Sequence, residues 1–441
     1  MSHRHSAREL LALLCEDFAD LDTMDSGDSA GDGPIAWDGY ETARSNARRS
    51  TGEDESVVCG TARIGEVTAA VICFEFGFLG GSIGERTGDR IEAAHRLARK
   101  HGLPVVSLIA TGGSRMQEGM RALSQLQRVI RQSTLTRRQG LAQLAVLRDP
   151  ATGGGWAVLG PSADVILALP GAQVGFAGSR VRPSRADPKA YTAESQLANG
   201  HIDAIVPVEG LRDKLSRWLR LLASTATEPA PVPNALGEAR LPDTGAEAVA
   251  AARDPGRPRA AAYLDSYFDH HEPVSGDRHG GTDPGTLCGF GSRDGTTIGY
   301  AAQTGRATTP AGFRTAARLI RTADRLRIPV LTLVDTPGAD NGPEAERAGA
   351  AGAIAELFAA VAEAQTPVTT LLIGEGGSGG AMALAAPGNT WATPDSYFAV
   401  IAPESAAAIL KRPVPSAGDL AGQLRLRPQD LLELGVIQGI A

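Results

Sequence analysis

One succession of elements is written into this chain twice, and it limits the possible folds more than any single motif does. In the first copy a helix-like run, Arg90 to His101, meets Gly102-Leu103-Pro104 and the apolar strand Val105 to Ala110. The segment Thr111-Gly112-Gly113-Ser114-Arg115-Met116-Gln117-Glu118-Gly119 follows, then a helix, the strand-like Leu144 to Leu147, and the turn Thr152-Gly153-Gly154-Gly155. In the second copy the helix-like Phe313 to Leu326 meets Arg327-Ile328-Pro329 and the strand Val330 to Val334. Asp335-Thr336-Pro337-Gly338-Ala339-Asp340-Asn341-Gly342 comes next. The strand-like Val368 to Ile373 then runs into Gly374-Glu375-Gly376-Gly377-Ser378-Gly379-Gly380-Ala381, with a helix expected from Met382. Thr111 and Gly153 are 42 positions apart, Asp335 and Gly379 are 44 apart, and these spacings match the copies to each other. Apolar strands alternating with helices imply βα crossovers and a mainly parallel sheet in each half.

A chain of 441 residues accommodates two domains. Proline crowds the stretch from about Ser224 to Pro258, including Glu228-Pro229-Ala230-Pro231-Val232-Pro233, and reads as a linker. The expected organisation is a domain over 1–223, a linker over 224–256 and a domain over 257–441. Met24 to Pro34, rich in Asp, Gly and Ser, reads as a loop, and His3 and His5 as a disordered tail.

Composition excludes several functions. A formal net charge of -7 argues against broad nucleic-acid binding. The four cysteines, Cys15, Cys59, Cys73 and Cys288, form no CxxC pair, so neither a structural zinc site nor a disulfide framework is expected. No apolar run has the length of a membrane span, and no signal-peptide core opens the chain. A cytoplasmic protein with no membrane contact is expected.

Glycine turns between a strand and a helix aim N–H groups outward and let a ligand approach the backbone. They suit an oxygen that gains negative charge during a reaction. A lone Gly-Gly pair is most often only a turn, and Gly80-Gly81 and Gly112-Gly113 would count as such by themselves. Two turns at matching places in two repeats point instead to two developing oxyanions.

At these residues the chain resembles the carboxyltransferase component of acyl-CoA carboxylases, in the crotonase-like superfamily. Its first half is similar to the beta subunit of bacterial acetyl-CoA carboxylase carboxyltransferase, through Phe76 to Gly84, Gly112 to Gly119, Asp149 to Gly154, Gly175-Phe176-Ala177-Gly178 and Gly200 to Val206. Its second half is similar to the alpha subunit, through Gly276-Asp277-Arg278, Asp335 to Ala339, Glu344 to Gly349, Gly374 to Ala381, Ile401 to Glu404 and Asp430 to Gly435. The resemblance implies an α/β fold of two crotonase-like (ClpP/crotonase) β-β-α superhelix domains related by internal repeat. The sequence departs from the family in four places. The zinc ribbon is absent, Gly305 to Pro310 is shortened, Ser179 replaces a proline, and Trp156 stands where a small residue is usual, which would narrow an acyl pocket.

The resemblance further implies transfer of a carboxyl group from carboxybiotin, carried on a separate protein, to the α-carbon of a small acyl-CoA such as acetyl-CoA or propionyl-CoA. Biotin and a coenzyme A thioester are then required, with no metal in this chain. Gly153 and Gly154 would hold the thioester oxygen, with Gly112, Gly113, Arg115, Phe176, Ala177 and Gly178 around the substrate. Gly379 and Gly380 would hold the ureido oxygen of biotin, with Gly338, Ala339, Gly376 and Gly377 on that side. Partners would be a biotin carboxylase and a biotin carboxyl carrier protein, since no Met-Lys-Met biotinylation signal occurs. Sites in such families lie between protomers, so a homo-oligomer of at least two chains is expected.

Other side chains read as structural. Arg115 meets a phosphate or pairs with Glu118, on even terms. Glu375 reads as a loop anchor rather than a base, and Asp335 as a helix cap. His95, His101 and His201 read as surface or packing residues, and Glu344, Glu346 and Arg347 as a solvated helix face. Phe176 could touch the ligand, but an aromatic in an apolar segment is more often core. Two further enzymatic readings share the same turns: a biotin-independent decarboxylase of a malonyl-type thioester, and an acyl or carboxyl transferase of a specialised biosynthetic pathway. A non-catalytic scaffold is the third alternative.

Overall fold

The computed structural model describes residues 4–21, 31–411 and 417–441; His3, and Met24 to Ala30 of the stretch read as a loop, lie outside the described residues. The chain forms two compact units, Met1–Ala223 and Ser224–Ala441.

The first unit is built on strands β1 (Glu16–Asp20), β2 (Val57–Ile64), β3 (Val67–Phe74), β4 (Val105–Thr111), β5 (Gln143–Thr152), β6 (Val165–Ala168), β7 (Val174–Gly175) and β8 (Ala204–Ile205). The second is built on β9 (His270–Val274), β10 (Thr286–Arg293), β11 (Thr296–Gln303), β12 (Val330–Thr336), β13 (Val368–Gly377), β14 (Thr390–Ala392), β15 (Tyr397–Ala399) and β16 (Gly439–Ile440). The first sheet runs β1-β2-β3-β4-β5-β6-β8, with β7 beside the end of β5. The second runs β9-β10-β11-β12-β13-β14-β16, with β15 beside the end of β13. In each, the first three strands pair antiparallel and every later pairing is parallel.

The central strands β4 and β12 are buried along their whole length, which is why they read as unbroken apolar runs. Each fully buried Val, Leu or Ile contributes about 1.5–3 kcal/mol, so these strands anchor the two cores. The helix Pro310–Leu326 shows how the crossovers are set. Thr309 caps it by accepting from the Gly312 N–H, and Pro310 stands at its first position. Phe313, Ala316, Ala317, Ile320 and Ala323 then recur at helical spacing on its buried side. In the first unit the helix Glu85–His101 ends at Gly102, whose φ of 67° makes a left-handed cap just ahead of Pro104.

The proline-rich stretch read as a linker is packed into the second unit. Ala230 lies in its core, and its carbonyl accepts from Thr369 Oγ1 at 2.8 Å. Further on, Thr244 caps the helix Gly245–Arg253. Proline removes backbone donors but leaves every carbonyl, so side chains such as Thr369 can dock the extended run.

Where β4 gives way to its turn, the backbone is tight. A Cβ on Gly81 (φ +63°) would lie 2.1 Å from the Ala110 carbonyl oxygen, whereas one on Gly80 (φ +68°) would meet nothing within 4 Å. We therefore expect Gly80→Ala to cost about 1–2 kcal/mol for left-handed backbone alone. Gly81→Ala should cost at least about 1–3 kcal/mol more for the clash. Urea midpoints of the two variants measured side by side check this ordering.

Candidate active site

Both glycine turns sit where a buried parallel strand ends and a short helix begins. In the first unit β5 delivers Gly153, at φ +67°, into the helix Gly153–Leu159. The turn after β4 lies directly against it, so that a Cβ on Gly153 would come within 2.8 Å of Gly113 Cα. The amides of the quoted glycines are not equally available. Gly112 donates to the Gly80 carbonyl at 2.9 Å, Gly113 to Thr111 Oγ1 at 3.0 Å and Gly153 to the Phe176 carbonyl at 3.0 Å. Gly154 and Gly155 occupy the first turn of the helix, where no carbonyl lies one turn back to receive their N–H groups. The N–H groups of Gly112, Gly113 and Gly153 are thus already used within the unit, whereas those of the half-buried Gly154 and the buried Gly155 lie in the helix's first turn.

The second unit repeats this arrangement with an offset of 225 residues. Thr336 follows Thr111, Gly338 follows Gly113, and the Gly338 N–H donates to Thr336 Oγ1 at 3.1 Å. The bridge Ile83–Ser114 has its counterpart in Thr308–Ala339, and the pairing Thr111–Ala151 in Thr336–Gly376. On this offset Ser378, itself at φ +53°, takes the place of Gly153. Gly379 then corresponds to Gly154 and Gly380 to Gly155. Matching by spacing from Asp335 had slipped by one residue. The expected helix start at Met382 is also corrected, since the helix is Ser378–Met382 and the glycines form its first turn. Gly379 is exposed, and a Cβ there would meet nothing within 4 Å. Gly380 is pinned, with a Cβ position 2.4 Å from Ala339 N. Gly376 and Gly377 are buried at the end of β13, against Phe398 and the Pro337 carbonyl. Gly338 and Ala339 are half-buried beside the turn.

Buried charges brace both turns. Arg115 is 1% exposed and cannot meet a substrate phosphate from there. Its guanidinium donates to Glu55 at 3.0 Å, Glu118 at 3.1 Å, Tyr40 at 3.2 Å and the Ser82 carbonyl at 2.8 Å. Burial pushes the Glu55 carboxyl up, but the Arg115 guanidinium outweighs it and holds the group down at about 2. Asp335 is not a helix cap. Its buried carboxylate pairs with Arg257 and, at 3.0 Å, with Arg259, and it accepts the Glu375 N–H at 3.2 Å. Glu375 anchors its loop as expected, bonded to Arg253 at 2.9 Å and to the Tyr397 hydroxyl.

The remaining residues divide clearly. Phe176 is 76% exposed, which removes the core alternative, and Ala177 and Gly178 are half-buried beside it. Trp156 is buried in the first unit's core, its ring against Gly160, so its bulk goes into packing. His95 is a packing residue. It meets Thr136 Oγ1 at 3.1 Å, and burial pushes its imidazole down to about 3. Glu344 and Arg347 form an exposed ion pair. Among the described residues no group of three or more His, Cys, Asp or Glu could hold a metal ion, and no helix is long and apolar enough to cross a membrane.

Comparison with known proteins decides the family. The chain is 38% identical to the acetyl-coenzyme A carboxylase carboxyl transferase subunits beta/alpha of Salinispora arenicola, over 89% of this chain and 74% of that one. This chain belongs to the acetyl-CoA carboxylase carboxyltransferase family. Residues 243–441 match the family described as acetyl co-enzyme A carboxylase carboxyltransferase-like. A Mycobacterium bovis protein named "Probable biotin-dependent acyl-coenzyme A carboxylase beta3 subunit" is 34% identical over 92% of this chain and 83% of its own length. Transcarboxylase 12S, solved as a hexamer with methylmalonyl-coenzyme A and methylmalonic acid bound, superposes with a TM-score of 0.82 at 20% identity, covering 99% of this chain and 86% of that one. The fold is thus the two-domain crotonase-like fold of carboxyltransferases.

In this carboxyltransferase the Arg115–Glu55 pair makes a test of the bracing. Glu55→Gln should cost about 3–5 kcal/mol at neutral pH, because it leaves a buried guanidinium short of a charge. The folded carboxyl titrates near 2 against an ordinary 4.5, so its contribution is complete above pH 4.5 and drains away as pH falls towards 2. Denaturant titrations of wild type and E55Q should therefore differ most above pH 4.5 and converge below it.

Proposed function

We propose that this chain moves a carboxyl group from carboxybiotin on a separate carrier protein to the α-carbon of a small acyl-CoA, acetyl-CoA or propionyl-CoA, through an enolate. The observation that carries the reading is the recurrence, 225 residues apart, of one amide-presenting turn at Gly154 and Gly379. The reaction develops negative charge on two oxygens, and each unit offers one place to receive it.

Bound carboxybiotin supplies the carboxyl group and the base for the α-proton. The chain's own residues supply orientation and N–H donors. Gly154 and Gly155 present the first pair, with Gly112, Gly113 and Gly153 fixing the turn and Phe176, Ala177 and Gly178 beside it. Gly379 and Gly380 present the second pair, with Gly338 and Ala339 beside them. The open space at Gly379 fits a bulky group approaching that turn, because even a methyl there meets nothing within 4 Å. Losing one such donor typically costs about 2.7–4 kcal/mol of transition-state stabilisation. In this reading the partners are a biotin carboxylase and a biotin carboxyl carrier protein. The enzyme works in the cytoplasm as a homo-oligomer of at least two chains, with no nucleic acid or membrane partner.

Purified protein incubated with malonyl-CoA and free biotin tests it, run beside malonyl-CoA alone. Biotin-dependent loss of malonyl-CoA is expected. Equal loss without biotin would instead identify a decarboxylase, and no loss in either arm would overturn the proposal. Gly379→Ala sharpens the test, since its methyl disturbs no packing but would take up the open space beside the turn that the ligand needs. We expect an unchanged melting temperature and at least about a tenfold fall in biotin-dependent turnover.

A further inference from the structure

The two units differ at one polar position beneath the second glycine turn. Phe74 ends β3 opposite Val57, and Gln303 ends β11 opposite Thr286, so these two residues occupy equivalent places. Ile83 and Thr308 are likewise equivalent, each forming the bridge beside its turn. An apolar pair in the first unit is therefore an amide and a hydroxyl in the second. Gln303 is 1% exposed; its Nε2 donates to Thr308 Oγ1 at 3.2 Å and to the Gly380 carbonyl at 3.1 Å. A carbonyl only accepts, so the NH2 end of the amide faces the turn. Gln303 Oε1 is buried and, among the described residues, has no hydrogen-bond partner. Leaving a buried acceptor unbonded is unfavourable. Phe74, buried at the equivalent place, shows that the fold itself accepts an apolar side chain there. The contact that sets this position apart from Phe74 is the bond from Gln303 to the Gly380 carbonyl.

We propose that Gln303 is a positioning residue for the second glycine turn. The bond to the Gly380 carbonyl ties the first turn of the helix Ser378–Met382 to β11, and the Ala339 backbone lies where a Cβ on Gly380 would be. Gly380 is thereby clamped, and the N–H groups of Gly379 and Gly380 keep one direction before any ligand arrives. Preorganised donors of this kind act without reorganising during the reaction. The catalytic consequence rests on the carboxyltransferase reading, but the clamp itself does not.

Gln303→Met keeps the side-chain length and removes both donors. We expect kcat for biotin-dependent loss of malonyl-CoA to fall about 10–100-fold, as for a misplaced catalytic group. The KM for malonyl-CoA and the melting temperature should stay near wild type. Gln303→Glu supplies a readout that packing alone would not move. A protonated carboxyl donates to the Gly380 carbonyl and a carboxylate repels it, so the activity of Q303E relative to wild type should rise as pH falls. Wild-type kcat in Q303M, or a parallel collapse of kcat, KM and melting temperature, would overturn the proposal. Amide hydrogen exchange without ligand separates this outcome from failure of the functional reading. In Q303M the amides of Ala383 and Leu384, which donate to the Gly379 and Ala381 carbonyls of that helix, should exchange about fivefold faster or more, with the Gly160 amide, bonded to the Trp156 carbonyl, unchanged. Absence of turnover in the wild type would sink the carboxyltransferase reading alone, whereas unchanged exchange in Q303M would sink the clamp.

Discussion

At each site a threonine hydroxyl receives the N–H of a glycine two residues on, Thr111 from Gly113 and Thr336 from Gly338, and this clasp sets everything above it. It folds the end of one parallel strand back sharply enough for the next strand's turn to lie against it. The contact is between main chains, with Gly153 against Gly113 and Gly380 against Ala339, which leaves no room for side chains between the turns. At the start of the short helix that follows, the N–H groups of the half-buried Gly154 and the exposed Gly379 lie in a first turn with no carbonyl one turn back. The chemistry proposed for this chain rests on this backbone geometry.

The two units brace this common geometry with unrelated side chains. In the first, Arg115 is buried with Glu55 and Glu118. In the second, Asp335 is buried between Arg257 and Arg259. Under the 225-residue offset Arg115 falls on Asp340 and Asp335 on Ala110, so neither network is a relic of the other. Buried ion pairs are weak sources of net stability, because desolvation offsets most of their attraction. Their common feature is that each ties a glycine turn to segments distant in sequence. Arg115 reaches 60 residues back to Glu55, and Arg257 reaches 78 residues forward to Asp335. Such networks fix where a loop lies more than how stable the unit is.

This division explains what could be read from the sequence. Strands and crossovers were legible because β4 and β12 are buried on both faces and announce themselves as apolar runs. The family was legible because its motifs are the turns themselves. The alignment of the two copies slipped by one because counting began at Asp335, whereas the clasp begins at Thr336; matching Thr-x-Gly to Thr-x-Gly would have placed Gly155 opposite Gly380. Arg115 read on even terms as a phosphate contact and as a partner of Glu118; the Glu118 pairing is present at 3.1 Å, while Glu55, 60 residues back, gave no signal in the sequence. The proline-rich stretch looked like a linker because composition records missing N–H donors and not the Thr369 hydroxyl that docks Ala230.

A further consequence concerns how such a repeat can diverge. Because the donors are main-chain N–H groups, almost any side chain around them can change without removing them. The two turns share backbone, offset and register, yet one is floored by Phe74 and Ile83 and the other by Gln303 and Thr308. Around the two turns the units differ: Phe176 is exposed beside the first, and the space over Gly379 is open at the second. In the proposed site the developing charge would meet backbone N–H groups, whose direction depends on side chains such as Gln303 that differ between the halves.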